Sequence, residues 1–559
     1  MQSLVRPNAW VALRLQSGQH KIIQIIPNTI ISLAKYGTFS SNLIVSRPYN
    51  LTYELLDRES GAKDSDLRIV PASELHADTI AEEEASAGTE TTIGGDGVEF
   101  QLVGENGEVV MRSNRETIDD SARQTLTMEE IEELKLEGTD AGKDLIAKLM
   151  LSHTGLDQKT SFSLAKYKLL KTKKYLRQFT VLPVDVPLLT QWMLEEKDSS
   201  KILDMREEML ALIGSWSNVH HAPSPADLPG PVGGRWLVVD ETGGLLVAAM
   251  AERMGILHAD VDRENSELLD YAEFEGPSYH DRRSDHGLAT SNTITMIHTN
   301  AQPNLNLLSY FNYEPNAPSS ASCHNHPLAT QLLPLSWLQL LSPSSDTTYS
   351  TVPRDYTPEE LATMKSGKRG TYHRKVRRYT RIRHIVDSTR AGGFDGLAVA
   401  SSMDPVSVLR HTIPLLRGGA SIAVFSPTIE PLTQLSDLYS TSRRTAFIQR
   451  PPKEIEDWSL DELTKWQGND DFPLIPTLVL GSSLQTARVR SWQVLPGRTH
   501  PIMTSKGGAE GYLWTATRVI PAEGKVSARG KYSKRRTENA PKGDKSEGIQ
   551  KQLDNGDLE

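Results

Sequence analysis

The stretch RWLVVDETGGLLVAAMAERMG, residues Arg235 to Gly255, reads as a buried strand, a glycine turn and a helix. That order opens nucleotide-binding α/β domains. A working dinucleotide or S-adenosylmethionine site needs spaced glycines after the strand, because the backbone must turn sharply and approach the ligand with no Cβ in the way. Here the glycines are adjacent, Gly243 and Gly244. Counted from Asp240 at the strand end, the three positions of a D-x-G-x-G-x-G loop fall on Thr242, Gly244 and Leu246; counted from Glu241 they fall on Gly243, Leu245 and Val247. One glycine in three leaves the fold signal intact and makes the loop a degenerate cofactor site.

Outward from this stretch, residues 201–522 alternate helix and strand: WLVVD, ILHAD, TITMIHT, FDGLAVAS and SIAVFS are the strands, with helical runs such as PVSVLRHTIPLL between them. Alternation of this kind predicts a Rossmann-like, mostly parallel sheet covered by helices. Segments 276–291 and 312–330 are polar or Pro/Ser-rich and read as surface inserts. Upstream, WVALRL, HKIIQII, ISLAKYGTF, SNLIVS and LTYELL are short β-rich runs, and EFQLVG and GEVVMRS read as closing strands, so residues 1–112 are expected to form a small β-barrel. Within it, 76–97 is acidic and glycine-rich and is expected to be a disordered loop. Residues 113–200 read as a helical basic connector, opened by a capping box of Thr127 and Glu130. The tail 523–559 is basic and polar, with little to bury, and is expected to be disordered.

With 559 residues the chain exceeds a single core. No apolar run approaches the roughly 18 residues of a membrane helix, and the start MQSLVRPNAW lacks the features of a secretory signal. The single cysteine, Cys323, allows no internal disulfide and fits a reducing compartment. The net charge of -10 is unevenly spread. Residues 74–111 hold ten acids and no Lys or Arg, 159–177 hold seven Lys or Arg and no acid, and 365–383 hold nine and no acid. Local potential, more than net charge, steers a polyanion.

Five blocks in order carry a resemblance: NTIISLAKYGTFSSNLIVSRPYNLTYEL, RQTLTMEEIEELKLEG, the lysine-rich run ending KKYLRQFTVLP, GGASIAVFSPTIEPL, and RSWQVLPGRTHPIMT with GYLWTATRV. They resemble the non-catalytic subunit of the eukaryotic, fungal-like tRNA (adenine(58)-N(1))-methyltransferase complex, over most of 1–520 outside the acidic loop and inserts. The resemblance implies an inactive Rossmann-like methyltransferase domain and a homologous catalytic partner. It implies a heterotetramer, two of each subunit, that methylates the adenine at position 58 in the T-loop of tRNA. It further implies a nuclear location, no cofactor bound by this chain, and S-adenosylmethionine used by the partner.

Methylation at adenine N1 calls for a carboxylate or carbonyl near the acceptor nitrogen, and relatives active in this chemistry carry an acid a few residues into the fourth strand. Ala398 to Ser402 hold none here, and Asp404, beside a proline, reads as a helix N-cap. Asp260 and Asp262 read as surface acids. The polyanion contacts are placed on two basic runs with interleaved tyrosines: Lys166, Lys168, Lys171, Lys173, Lys174 and Arg177 in the first, Arg374, Lys375, Arg377, Arg378 and Arg381 in the second. In the first, Phe162, Ala165, Leu169, Thr172, Leu176 and Phe179 form one helical stripe, expected to be buried, with the lysines outward. Asn114, Arg115, Gln124, Arg498 and His500 are second-rank RNA contacts. Cys323, His324 and His326 fall short of a zinc set, as do His220 and His221. KYSKRR, 531–536, suits nuclear import or non-specific RNA attraction. Two other classes of function remain open on these residues. A self-sufficient S-adenosylmethionine-dependent RNA methyltransferase with a divergent donor loop would bind the donor alone. A general RNA-binding scaffold would purify without a homologous partner.

Overall fold

The computed structural model describes residues 4–33, 36–56, 64–75, 126–127, 129–131, 143–153, 161–222, 233–258, 292–314, 326–455, 458–463, 466–495, 498–502 and 510–521. The chain divides into a compact unit, 1–520, and a C-terminal stretch, 521–559, of which only Pro521 is described. Among the described residues no helix is long and apolar enough to cross a membrane. The insert at 312–330 is described only in part, and the insert at 276–291, the acidic loop, the expected closing strands after it and the tail lie outside the described residues.

The N-terminal strands are β1 (Trp10–Leu15), β2 (His20–Gln24), β3 (Ile30–Ser32), β4 (Thr38–Ser40), β5 (Thr52–Leu55) and β6 (Leu67–Ile69), joined by β7 (Gln178–Pro183). They form an antiparallel sheet in the order β2-β1-β7-β5-β6, with β3 and β4 as a separate hairpin. Its edges, β2 and β6, are not paired with one another, so the described strands make an open sheet and a hairpin where a small barrel was expected.

Strand β7 corrects the boundary drawn at residue 113. It lies between β1 and β5, and its Phe179 stacks on Phe39 and Tyr53 at ring separations of 5.0 and 5.6 Å. Phe179 therefore belongs to the N-terminal core and not to a helical stripe. The lysine helix ends at Tyr175, because Gln178 onward is drawn into the sheet. The rest of the expected connector divides likewise: helix Val186–Glu195, N-capped by Asp185, buries Leu189, Trp192 and Met193 in the α/β core.

The α/β sheet comprises β8 (Arg235–Asp240), β9 (Thr293–His298), β10 (Leu332–Ser336), β11 (Phe394–Ala400), β12 (Leu416–Ser426), β13 (Val479–Gln485) and β16 (Tyr512–Arg518), in the order β10-β9-β8-β11-β12-β16-β13. Strands β8 to β12 run parallel, and β16 is antiparallel to both neighbours. The order reverses between β8 and β11, which places the ligand-binding crevice of such sheets at their carboxyl ends. Two apolar cores cover the faces, one through Trp236, Val238 and Met296, the other through Leu237, Val239 and Trp514. A hairpin of β14 (Trp492–Leu495) and β15 (Arg498–Pro501) stands apart.

Two further expectations change. The described part of ILHAD, Ile256 to His258, is not a strand: Gly255 ends the preceding helix at φ +77° and Ile256 and Leu257 pack into the core. The ends of the insert at 312–330 are core rather than surface, since Tyr313, His326 and Leu328 are buried.

Replacing Phe179 with alanine should destabilise the chain by about 3–5 kcal/mol, whereas Leu169→Ala, at a side chain 42% exposed, should cost less than about 1 kcal/mol. Thermal unfolding of the two variants side by side checks both. Equal effects would mean that Phe179 and Leu169 share one helical stripe after all.

Candidate nucleic-acid interface and the α/β crevice

The crevice begins at Asp240, the last residue of β8, whose carboxylate is buried. Its Oδ1 accepts from the Thr242 amide and hydroxyl, both at 2.6 Å, and Oδ2 accepts from the Val247 amide at 3.1 Å. Burial pushes the Asp240 carboxyl above the usual carboxylate range, against these hydrogen bonds, which favour its ionised form. The Thr242 hydroxyl in turn accepts from the Leu246 amide at 3.1 Å. Both oxygens of Asp240 thus hold the turn itself.

Gly243 and Gly244 sit at φ +72° and +92°, where L-residues are strained. A Cβ on Gly244 would meet Leu305 Cα and Leu308 Cγ at 3.3 Å, and the Leu307 amide donates to the Gly243 carbonyl at 3.0 Å. The turn is closed by this chain's own short helix, Asn306–Phe311. That cover was not legible in the sequence: NLNLLSYF shows apolar spacing, but nothing in it points to residues 243–244.

At the end of β11, no acid lies in Ala398 to Ser402. The Ser402 amide and hydroxyl donate to Glu241 Oε2 at 2.8 and 2.7 Å, clasping the two strand ends. Asp404 accepts from the Ser407 amide at 3.0 Å and is the N-cap of helix Pro405–Thr412. Burial pulls His326 down to about 4, and its Nδ1 accepts from the Leu328 amide while Nε2 faces the Phe311 carbonyl at 3.2 Å. It is a satisfied core histidine. His220 faces Trp236 and its Nδ1 lies 2.7 Å from the Asn218 carbonyl. Among the described residues no cluster of three or more His, Cys, Asp or Glu could hold a metal; Cys323, His324, Asp260 and Asp262 lie outside them.

The lysine helix, Ser161–Tyr175, packs against helix Lys143–Leu151 and against β14. Its rotation differs from the expected stripe. Leu169 and Leu170 are exposed, as are Lys173 and Lys174, while Lys168, Lys171, Thr172 and Arg177 are half-buried and Leu176 is buried. Lys171 Nζ lies 4.8 Å from the Tyr167 ring centroid and Lys174 Nζ 5.0 Å from that of Tyr175. The side chains of 161–166, Lys166 included, lie outside the described residues. The contact with β14 brings the β14–β15 hairpin beside this helix, with Trp492 58% and Val494 73% exposed. His500 is half-buried with Nδ1 3.0 Å from the Pro501 carbonyl; the Arg498 side chain, and Asn114, Arg115 and Gln124 altogether, lie outside the described residues.

The second basic run is a helix of 25 residues, Ser366–Arg390. Only Ile385, Val386 and Thr389 are buried, so the helix is anchored at its C-terminal end. There Arg235, at the amino end of β8, donates to the Ser388 and Gly392 carbonyls. Arg381 donates to the carbonyls of Ala329 and of Leu332, the first residue of β10. The guanidinium of Arg381 thus ties the helix to the edge strand. Arg374, Lys375, Arg377 and Arg378 are exposed. Both anchor points lie at the amino ends of parallel strands, opposite the crevice.

Residues 4–365 match the Gcd10p family. The chain is 46% identical, over 96% of itself and 96% of the relative, to the tRNA (adenine(58)-N(1))-methyltransferase non-catalytic subunit of Aspergillus fumigatus. The protein of that name from Aspergillus oryzae is likewise 46% identical at 96% coverage of each chain. That of Schizosaccharomyces pombe is 26% identical, again covering 96% of each. The chain belongs to the Gcd10p family.

Asp240→Ala should lower stability by about 1–3 kcal/mol, because buried donors lose their acceptor. Thermal unfolding combined with methylation assays on the assembled complex checks it. The rate per assembled complex should stay at the wild-type value; a fall in that rate with assembly intact would give Asp240 a part in the chemistry.

Proposed function

We infer that this chain is the non-catalytic, tRNA-binding subunit of a tRNA (adenine(58)-N(1))-methyltransferase complex. The observation that carries this is identity of 46% along 96% of the chain with a relative so named. The closed turn supports the finer reading that the chain binds no S-adenosylmethionine: Leu305, Leu307 and Leu308 pack over Gly243 and Gly244, and both oxygens of buried Asp240 accept from the turn and the helix that follows it. The donor is then held by a homologous catalytic subunit. We propose two copies of each subunit and a nuclear location, as the family resemblance implies. Calorimetry tests the donor claim directly: the isolated chain should show no heat of binding at micromolar S-adenosylmethionine, and micromolar affinity would restore the self-sufficient enzyme.

The exposed cations support a phosphate-binding role for both basic helices. Lys173 and Lys174 on one, and Arg374, Lys375, Arg377 and Arg378 on the other, project to the surface and position RNA without reading its sequence. Lys168, Lys171 and Arg177 are half-buried and flank the first set. Arg381 is assigned to anchoring instead.

Alanine at Lys171, Lys173, Lys174 and Arg177 together should spare folding and assembly, since alanine favours the helix at the three lysines and Arg177, just past its end, keeps the backbone carbonyl that accepts from the Leu55 amide. The slope of log affinity for tRNA against log salt should flatten by about three units if all four pair with phosphates, at roughly 0.7–0.9 per contact. Methylation should recover in part at raised tRNA concentration. An unchanged slope would leave these side chains as a solvated face.

A further inference from the structure

We propose that the acidic segment within residues 76–111 docks on the lysine helix as an intramolecular competitor of RNA. The two ends of the chain that carries it, Leu75 and Leu126, are held at the root of that helix. Arg68 donates to both oxygens of Glu74 at 2.9 Å and through Nε to Glu54 at 2.8 Å. Gln178, just past the helix, donates to the other oxygen of Glu54 at 3.0 Å, and the Leu55 amide donates to the Arg177 carbonyl at 3.0 Å. The segment thus departs from a hydrogen-bonded network that includes the exit of the lysine helix. It returns at Leu126, which packs on the same small cluster, Ile131, Leu145 and Leu149, as Tyr175 at the end of that helix.

Charge and reach complete the argument. Residues 76–111 carry nine acids and no Lys or Arg, among them Glu82, Glu83, Glu84 and Glu90. Among the described residues no carboxylate lies within ion-pair distance of Lys171, Lys173 or Lys174. Twenty-five residues of chain from either anchor suffice to span about 25–30 Å, and a helix of 15 residues is about 22 Å long. Tethering at both ends sets an effective concentration in the millimolar range. A polyanion held there screens the lysines from weakly bound nucleic acid. It yields only to RNA that also engages other contacts, so the segment raises selectivity at the expense of affinity.

The inference rests on the phosphate-binding reading of the lysine helix, and two measurements on the chain assembled with its catalytic partner separate them. In the first, a zero-length carbodiimide joins carboxylates to lysines in contact, without RNA. Cross-links from Glu82–Glu90 to Lys171, Lys173 or Lys174 are expected, and their absence overturns the docking whatever the RNA result. If they form and saturating tRNA leaves them unchanged, competition is overturned. In the second, Asp78→Asn with Glu82→Gln, Glu83→Gln, Glu84→Gln and Glu90→Gln should tighten tRNA binding about tenfold at low salt and steepen its salt dependence. The gain should vanish when Lys171, Lys173, Lys174 and Arg177 are alanine. A charge-matched control neutralises Glu538, Asp544, Glu547, Asp554 and Asp557 in the tail; an equal gain there, or a gain that survives the alanines, would reduce the effect to net charge and overturn the proposal.

Discussion

Strand β7 is the constraint on which the rest of the molecule depends. Its six residues complete an antiparallel sheet whose other strands lie more than a hundred residues earlier. Its Phe179 fills the centre of that sheet's core. The lysine helix ends at Tyr175, with only Leu176 and Arg177 between it and the strand, and the residues after the strand, Val184 and Val186, already belong to the α/β core. Closing a loop of that length costs only a few kcal/mol more than closing a short one, and the aromatic stack of Phe39, Tyr53 and Phe179 offsets it. One strand therefore sets where the lysines stand with respect to both sheets.

The same strand explains where sequence reading succeeded and where it failed. WLVVD, TITMIHT and FDGLAVAS were legible because a strand buried on both faces is a continuous apolar run bounded by turns. QFTVLP is apolar too, but the pattern of SFSLAKYKLLKTKKYLRQF runs into it at helical spacing, and local periodicity carries no record of a partner strand a hundred residues away. The stripe drawn through Leu169 and Phe179 joined an exposed helical residue to a buried strand residue. The Asp404 cap was legible, since an acid before proline at a helix start has a local mechanism. The leucines over Gly243 were not, because a tertiary contact decides what fills that space.

Gly243 and Gly244 show why a nucleotide-fold signature does not by itself report a ligand site. Both hold positive φ, and Gly244 has leucine carbon atoms within 3.3 Å of where a Cβ would be. A side chain at either position would be strained by the backbone alone, and at Gly244 by the packing as well. The glycines are thus retained by the turn and by the Leu305–Leu308 contact, with no ligand required. A glycine turn after a strand reports backbone geometry. What lies above it reports binding.

Charge obeys a similar separation of scales. A net charge of -10 repels a polyanion at long range, but at physiological salt the Debye length is about 8 Å, so a phosphate arriving at Lys173 or Lys174 responds to the few groups within that distance. The helix bearing them is rooted by Tyr175 in a small apolar cluster and, just past its end, by the Arg177 carbonyl, which accepts from the Leu55 amide of β5. The arginine helix stands at the amino ends of the α/β strands, held by buried Ile385 and Val386 and by Arg235 and Arg381, whose guanidinium groups donate to carbonyl oxygens. Anchoring a cation-rich helix through backbone carbonyls leaves its exposed cations uncompensated by the anchor itself.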